Sequence, residues 1–242
     1  MKLSLSQLTG SIVTFDKQTE LLPGVVNFRF QPKPSLHWEA GQYYVYFMPG
    51  ALLDPRLPLR PFTVSASPQE GYLQITTRIV EKPSLFKQQL LKLKPGNKVI
   101  AAGPYGFFTL TDTSKEYVFL AGGIGITAFR SILLDLAAKK TVPTITLLYA
   151  NRDANILFKR ELDQLAKQFP QLTVHYLIDP QRIDITTVKK YVKDPTAPMY
   201  YISGPKPMVL GVSEQLETDL NIPYSQIQHD AFEGYPWPLL PL

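Results

Sequence analysis

The character of the chain changes near residues 112–115, and this change limits the folds that the sequence can adopt. Up to about residue 110, short segments rich in Val, Ile, Tyr, Phe and Thr are separated by Pro and Gly, which predicts short β-strands. From residue 116 onward, strand-like and helix-like segments alternate, which predicts a parallel sheet with helices on both faces. The predicted fold is therefore a six-stranded antiparallel barrel in residues 1–112, followed by a parallel-sheet α/β domain in residues 113–242.

The individual elements follow from the same patterns. In the first domain we expect strands at residues 14–15, 25–30, 42–47, 62–66, 71–80 and 98–102. One helix, at residues 84–93, interrupts them, because its leucines and Phe86 share a face and Pro95-Gly96 stops it. In the second domain we expect strands at 117–121, 144–150, 173–177 and 198–203, with helices at 128–139, at 159–169 and from the last strand to residue 220.

Two short motifs each provide groups that can hold a nucleotide. Residues 60–63, with the sequence RPFT, place a cation beside an aromatic ring and a hydroxyl. Such groups can pair with a pyrophosphate, pack on an isoalloxazine ring and hydrogen-bond near its N5. Residues 121–127, AGGIGIT, form a glycine-rich turn between an apolar strand and a helix, where bare N–H groups can bind phosphates. A flavin beside a pyridine nucleotide indicates hydride transfer.

Four blocks of sequence occur in a fixed order along the chain: 60–65 (RPFTVS), 94–96 with 103–108 (KPG and GPYGFF), 121–131 (AGGIGITAFRS) and 203–208 (SGPKPM). In order and spacing they resemble the ferredoxin–NADP reductase family of FAD-binding oxidoreductases, and the resemblance covers almost the whole chain. It implies a stand-alone reductase module with a flavin-binding barrel and an NAD(P)-binding domain. Such a module takes a hydride from NADPH or NADH and passes electrons to a separate acceptor.

The resemblance also implies a set of flavin contacts. Arg60 would pair with the pyrophosphate, Phe62 would pack along the ring, and Thr63 would hydrogen-bond near N5. The amino end of the helix capped by Ser84 would give a second phosphate contact. The expected flavin-binding residues are Arg60, Pro61, Phe62, Thr63, Val64, Arg78, Ile79, Val80 and Ser84.

The residues just before Ser84 depart from the family, which usually has a glycine there. This chain has Glu81-Lys82-Pro83, so one N–H donor is lost and a negative charge is added. FAD is the expected flavin, and FMN is the alternative.

The resemblance implies a second set of contacts, to the pyridine nucleotide. Ser203 stands where relatives often carry cysteine, near the nicotinamide C4. Together with Thr63 near the flavin N5 and Phe232 near the flavin, Ser203 completes the set of predicted catalytic residues. Arg152 follows a strand at the place where the family recognises the adenosine end. An arginine there can hold a 2′-phosphate, which favours NADPH, with NADH as the alternative. The expected nucleotide-binding residues are Gly122, Gly123, Gly125, Ile126, Thr127, Asn151, Arg152, Gly204, Pro205 and Met208.

Composition excludes several other kinds of chemistry. The chain has no cysteine, which removes disulfides, thiolate catalysis and iron–sulfur ligation, so any iron–sulfur centre must belong to a partner. Its three histidines lie far apart, and we expect no metal site. The net charge of +5 suits anionic nucleotides or an acidic electron carrier, and no nucleic-acid motif is present. With no signal-peptide pattern and no long apolar run, a cytoplasmic protein without a membrane span is expected.

Two questions stay open at this point. The acceptor can be a ferredoxin- or flavodoxin-like carrier, a partner redox protein, or a small molecule such as a free flavin, a ferric complex or a quinone. A different class of function is a non-catalytic nucleotide-binding or regulatory subunit that keeps the fold.

The apolar C-terminal tail, residues 233–242, contains three prolines and therefore cannot be helical. We expect Phe232 near the flavin and the tail folded over the cofactor or across a subunit interface, with a disordered end as the alternative.

Overall fold

The computed structural model describes residues 10–54 and 57–232, which divide into two compact units. The first, here called the barrel unit, comprises the described part of Met1–Leu110 together with Arg130–Asp135. The second, here called the α/β unit, comprises Thr111–Phe129 and the described part of Leu136–Leu242. The domain limits of 1–112 and 113–242 stay a prediction.

Within the described residues, the barrel unit has one antiparallel sheet of six strands. The strands are β1 (Ser11–Leu22), β2 (Val25–Gln31), β3 (Tyr43–Phe47), β4 (Leu59–Thr63), β5 (Leu73–Arg78) and β6 (Lys98–Tyr105). Their spatial order is β4-β3-β6-β1-β2-β5. Phe28, Phe30 and Tyr44 are completely buried, because alternate residues of a strand point to the same face and here fill the core.

Strand β4 occupies Leu59–Thr63 rather than residues 62–66, so this strand prediction was wrong. Pro61 can lie inside the strand because β4 is at the edge of the sheet order and pairs only with β3, where one missing N–H is tolerated. Directly after β4, the Ser65 N–H donates to the Gln74 carbonyl oxygen at 2.9 Å. This bond brings the end of β4 to β5, the strand at the other edge, and curls the sheet into a barrel.

The helix of the barrel unit, α1 (Leu85–Leu91), lies within the predicted range of 84–93. Ser84 caps it, since the Ser84 Oγ accepts from the Lys87 N–H at 3.3 Å. Phe86 and Leu90 are fully buried in the barrel core, as the predicted apolar face requires.

Within the described residues, the α/β unit has a parallel sheet of five strands with the order β11-β10-β7-β8-β9. The strands are β7 (Tyr117–Gly122), β8 (Ile145–Asn151), β9 (Leu172–Ile178), β10 (Met199–Pro205) and β11 (Ile227–Phe232). The helices are α2 (Ile126–Lys139), whose residues Arg130–Asp135 are grouped with the barrel unit, α3 (Lys159–Gln168), α4 (Ile185–Tyr191) and α5 (Lys206–Asp219). All six residues of the central β7 are buried. The predicted fold class, an antiparallel barrel followed by a parallel-sheet domain, is confirmed.

The residue pattern did not predict α4 or β11. Helix α4 has only seven residues, and four of them, Ile185, Thr186, Thr187 and Val188, are β-branched, which lowers helix propensity. The Asp184 carboxylate begins the helix by accepting from the Thr187 N–H at 2.8 Å. The sequence of β11, IQHDAF, mixes polar and apolar residues and therefore shows no clear strand pattern.

None of the helices in the described parts of the chain is long and apolar enough to cross a membrane.

Candidate functional site

Strand β4 carries the residues predicted to contact the flavin ring. Phe62 is half-buried, with its ring centroid 5.8 Å from that of Phe86 and 6.1 Å from that of Tyr46. Thr63, the last residue of the strand, is also half-buried. Both side chains therefore keep part of their surface open to a ligand. Their contacts with a flavin stay predictions.

The two apolar neighbours of Phe62 and Thr63 have structural roles. Pro61 is half-buried and pairs with Val45 in the register of β3 and β4. Val64 is completely buried, and its N–H donates to the Gln42 carbonyl oxygen at 3.0 Å. The Val64 side chain is part of the buried barrel core and is not itself open to a ligand.

Arg60 is buried, although the sequence predicts that it binds a pyrophosphate. The residue is 5% exposed, and its guanidinium forms an ion pair with the Asp54 carboxylate, with an Nη2–Oδ1 distance of 3.0 Å. Its Nη1 donates to the carbonyl oxygens of Leu57 at 2.5 Å and Leu59 at 2.6 Å. The guanidinium also lies over the Phe86 ring, 5.5 Å from the centroid. The charge of Arg60 is thus engaged by the protein itself.

The amino end of α1 is engaged in the same way. The Phe86 N–H donates to the Asp54 Oδ2 at 3.1 Å, and the Lys87 N–H donates to the Ser84 Oγ. Pro83 offers no N–H. The Arg60 guanidinium and the Phe86 N–H, both predicted to contact the pyrophosphate, therefore share one partner within the protein, the Asp54 carboxylate.

The end of β5 carries three further predicted flavin contacts. Arg78 is exposed, and its carbonyl oxygen accepts from the Lys87 Nζ at 2.6 Å. Val80 is 55% exposed, whereas Ile79 is half-buried against the barrel core. An arginine and an apolar side chain exposed at one strand end suit a nucleotide's phosphate and base. The accessible side chains of Phe62, Thr63, Arg78 and Val80 would suit a flavin, whereas Arg60, held by Asp54, does not present its guanidinium to a phosphate in this structure.

In the α/β unit, the strand order reverses direction at β7, which has β8 on one side and β10 on the other. Ligands of open parallel sheets bind at such a switch point, beyond the carboxyl ends of the two strands. Here β7 ends at Gly122 and is followed by the turn Gly123–Gly125, while β10 ends at Pro205. Both glycine-containing segments that the sequence selected lie at this edge of the sheet.

The glycines at this edge are not equivalent. A Cβ on Gly125 would lie 2.2 Å from the Ser203 carbonyl oxygen, and one on Gly122 would lie 2.5 Å from the Met208 Sδ. Gly204 is similarly tight against Met208 and has a φ of +159°. Gly123, with φ +53°, has no atom of the described residues within 4 Å of such a Cβ. Gly122, Gly125 and Gly204 thus allow β7, β10 and α5 to pack closely, and Gly123 faces open space.

The two residues after the turn are less accessible than the sequence suggests. Ile126 is completely buried, and Thr127 is 3% exposed. The Thr127 Oγ1 donates its proton to the Ile124 carbonyl oxygen at 3.0 Å, so this hydroxyl stabilises the turn. A role for Thr127 as a donor to the nucleotide stays a prediction.

Ser203, the predicted catalytic serine, is paired with an acid that sequence reasoning missed. Ser203 is completely buried, and its Oγ donates to the Asp230 Oδ2 at 3.0 Å. Burial raises the pKa of Asp230 to about 6, and the hydrogen bond from Ser203 opposes part of this rise. The signal that could have found Asp230 is its strand register, because Asp230 lies directly beside Ser203 in the parallel pair of β10 and β11.

The predicted adenosine-end residues lie at the carboxyl end of β8. Asn151 ends the strand, and its carbonyl oxygen accepts from the Asp179 N–H at 3.0 Å. Its Nδ2 is buried and has no hydrogen-bond partner among the described residues. Arg152 follows and is exposed. A buried donor without a partner beside an exposed cation fits a polar, anionic ligand.

Phe232 is the last residue of β11 and pairs with Pro205. The Phe232 side chain and the tail, residues 233–242, lie outside the described residues.

The packing of the glycines predicts two different outcomes for alanine substitution. Gly125→Ala places a Cβ against backbone and should destabilise the fold by on the order of 3 kcal/mol. Gly123→Ala meets no atom of the described residues, so its positive φ should cost only about 1 kcal/mol, while the new methyl group should weaken NADH and NADPH binding. Denaturant unfolding and calorimetric titration measure the two effects. Equal destabilisation by both variants, or unchanged binding by Gly123→Ala, would contradict this account.

The raised pKa of Asp230 predicts a pH-dependent gain in stability for Asp230→Asn. The folded chain holds the Asp230 proton more tightly than the unfolded chain, whose carboxyl has its ordinary pKa of 3.8. Ionisation therefore destabilises the natural chain progressively from about pH 4 to pH 6, and fully above pH 6. Asp230→Asn should melt at a higher temperature than the natural chain at pH 7, and the difference should vanish near pH 4.

The control for this prediction is Asp194→Asn. The pKa of Asp194 is lowered by hydrogen bonds from Thr196, so this substitution should give no stabilisation at pH 7. A melting temperature of Asp230→Asn at or below that of the natural chain at pH 7 would refute the prediction.

Comparison with known proteins agrees with this arrangement. Residues 119–214 match the family model described as "Oxidoreductase NAD-binding domain". A subunit of the Na(+)-translocating NADH-quinone reductase from Pseudomonas paraeruginosa (strain DSM 24068 / PA7) is 30% identical over 244 residues. That match includes 90% of this chain, which spans 59% of the length of that relative.

Two solved structures show the same fold. The cytochrome b5 reductase domain of Ulva prolifera nitrate reductase has a TM-score of 0.79 at 20% identity, covering 92% of this chain and 98% of that one. The ferredoxin-NADP+ reductase from Plasmodium falciparum has a TM-score of 0.75 at 16% identity, covering 93% of this chain and 97% of that one. The chain therefore contains an oxidoreductase NAD-binding domain at residues 119–214 and is similar in fold to these two reductase structures.

Proposed function

We propose that the chain is a reductase that binds FAD in its barrel unit and NADPH or NADH in its α/β unit. It transfers a hydride from the nicotinamide to the flavin and passes electrons to a separate acceptor. The observation that supports this most is the open backbone of Gly123 at the switch point of the parallel sheet, in the same edge as the Ser203–Asp230 pair.

The residues of the chain position the reactants in this proposal. Backbone N–H groups at Gly123 bind the nucleotide's phosphates. Ser203 is buried, so it acts from behind the nicotinamide site, where its bond to Asp230 holds the end of β10 in place. Phe62 and Thr63 contact the flavin ring, and Phe232 lies near it. A bound flavin would serve as the hydride acceptor and as the electron donor to the separate acceptor.

The choice of FAD over FMN has its support at the end of β5. The exposed Arg78 and Val80 provide a surface for an adenosine group, which FMN lacks. FMN would leave these side chains without a ligand.

The acceptor in this proposal is a separate protein, or a small molecule in its absence. The name of the relatives supports a partner, since each is called one subunit of a quinone reductase, although this chain spans only 59% of their length. A ferredoxin- or flavodoxin-like carrier, or another redox protein, is consistent with the chain's net charge of +5. Location in the cytoplasm stays a prediction.

One observation favours a second candidate, a nucleotide-binding subunit without turnover. Arg60 is engaged by Asp54, and a chain that never binds flavin could keep this pair permanently. The two candidates differ in whether bound NADH or NADPH is oxidised.

The function is tested by adding FAD or FMN to the purified chain and measuring ferricyanide reduction with NADH and with NADPH. We expect oxidation of at least one nucleotide that depends on added FAD. Ser203→Ala should lower kcat about tenfold, the equivalent of one lost hydrogen bond, and Ser213→Ala, another buried serine, should leave it unchanged. Nucleotide binding without oxidation in the presence of either flavin would favour the second candidate.

Arg152 tests the choice of nucleotide. If its exposed guanidinium binds the 2′-phosphate, Arg152→Ala should raise KM for NADPH about tenfold or more, with little change for NADH. Lys193→Ala, which removes an exposed cation elsewhere in the same unit, is the control. An equal effect on both nucleotides, or a natural preference for NADH, would remove the basis for NADPH.

A further inference from the structure

The pair of Asp54 and Arg60 is unusual because both of its charges are withdrawn from water. Their side chains are 1% and 6% exposed, and the Arg60 Nη2 lies 3.0 Å from the Asp54 Oδ1. A buried ion pair is costly to assemble unless further hydrogen bonds satisfy its atoms. Here the carbonyl oxygens of Leu57 and Leu59 accept from the Arg60 Nη1, and the Phe86 N–H donates to the Asp54 Oδ2.

The contacts of the Asp54 carboxylate are those of a small anion. One oxygen receives the guanidinium of Arg60, and the other receives a backbone N–H. A phosphate uses the same two kinds of donor. Because Arg60 is the residue that the proposed function assigns to the flavin pyrophosphate, a carboxylate of the chain already holds the contact that the phosphate needs.

Three leucine side chains close to Asp54 in the sequence are largely exposed, although Ala51 is completely buried. Those of Leu52, Leu53 and Leu57 are 66%, 88% and 52% exposed, whereas Asp54 itself is 5% exposed. These three leucine side chains have few buried contacts to lose, so an exchange at Arg60 breaks chiefly the ion pair and its hydrogen bonds.

We propose that Asp54 is an internal competitor for Arg60, so that a flavin or other pyrophosphate-bearing ligand binds by displacing the Asp54 carboxylate from the guanidinium. This inference rests on the proposed function for the identity of the ligand. It makes Asp54 a determinant of flavin affinity that lowers the affinity of the natural chain. The opposite role, in which Asp54 orients Arg60 toward the phosphate, predicts a change of the opposite sign.

Asp54→Asn in the full chain tests the inference, because asparagine keeps the size and the acceptor oxygen but removes the charge. Asp16→Asn is the matched control, since it removes a carboxylate from a more exposed ion pair of the same unit, with Arg29 at 2.9 Å. The affinities for FAD and for inorganic pyrophosphate are measured by titration. Asp54→Asn should bind both about ten- to a hundredfold more tightly than the natural chain, and Asp16→Asn should bind them as the natural chain does.

The outcomes separate this inference from the proposed function. Tighter pyrophosphate binding by Asp54→Asn supports competition, and unchanged or weaker binding overturns it. If the pyrophosphate result is as expected but neither chain takes up FAD or FMN, competition at Arg60 stands and the flavin function fails. If Asp54→Asn does not fold alone, pyrophosphate should restore its folding by pairing with Arg60, and no restoration at saturating pyrophosphate overturns the inference.

Discussion

The close packing of β7 against β10 is the constraint on which the α/β unit's candidate site depends. Gly125 leaves no room for a side chain, because even a Cβ would lie 2.2 Å from the Ser203 carbonyl oxygen. The same closeness places Ser203 in register with Ala121 on one side and with Asp230 on the other. Glycine is therefore required by backbone packing at Gly125, whereas Gly122 and Gly204 lie against the Met208 side chain and Gly123 faces open space. In this glycine-rich turn, the residue that packing requires differs from the residue that is open to a ligand.

The other half of the function depends on a competition between charges. Arg60 lies in the strand that carries Phe62 and Thr63, yet its guanidinium is turned into the protein, where Asp54 and two carbonyl oxygens receive it. Burying an arginine without partners is costly, so a chain that must fold before its ligand arrives gains from an internal anion. The consequence is that the stability of the unligated chain and its affinity for a phosphate ligand oppose each other at this residue.

Much of the architecture could be predicted from the sequence, because strand and helix patterns are local. The alternation after residue 116 predicted the order of β7, α2, β8 and α3, and apolar runs such as residues 117–121 are typical of buried parallel strands. The predicted position of β4 was wrong because proline is normally excluded from the interior of a strand. Pro61 is tolerated only because β4 lies at an edge, and the edge location is a property of the whole sheet.

The candidate site could be predicted only in part, for a similar reason. The sequence indicated the motif residues, whose roles stay predictions, but Asp54 and Asp230 were missed, since nothing near them in the sequence distinguishes them from ordinary acids. Asp54 reaches Phe86, which is 32 positions away, and Asp230 reaches Ser203, which is 27 positions away. Such partners are fixed by tertiary packing, and they determine which motif groups are free to act.

The most direct test of the central claim is a single anaerobic reaction. The chain loaded with FAD is mixed with NADPH, and in parallel with NADH, while the visible absorption of the flavin is followed. We expect the flavin's oxidised band to disappear with at least one nucleotide, and more slowly in Ser203→Ala. A flavin band that is unchanged although the nucleotide is shown to bind would contradict the claim that this chain transfers a hydride.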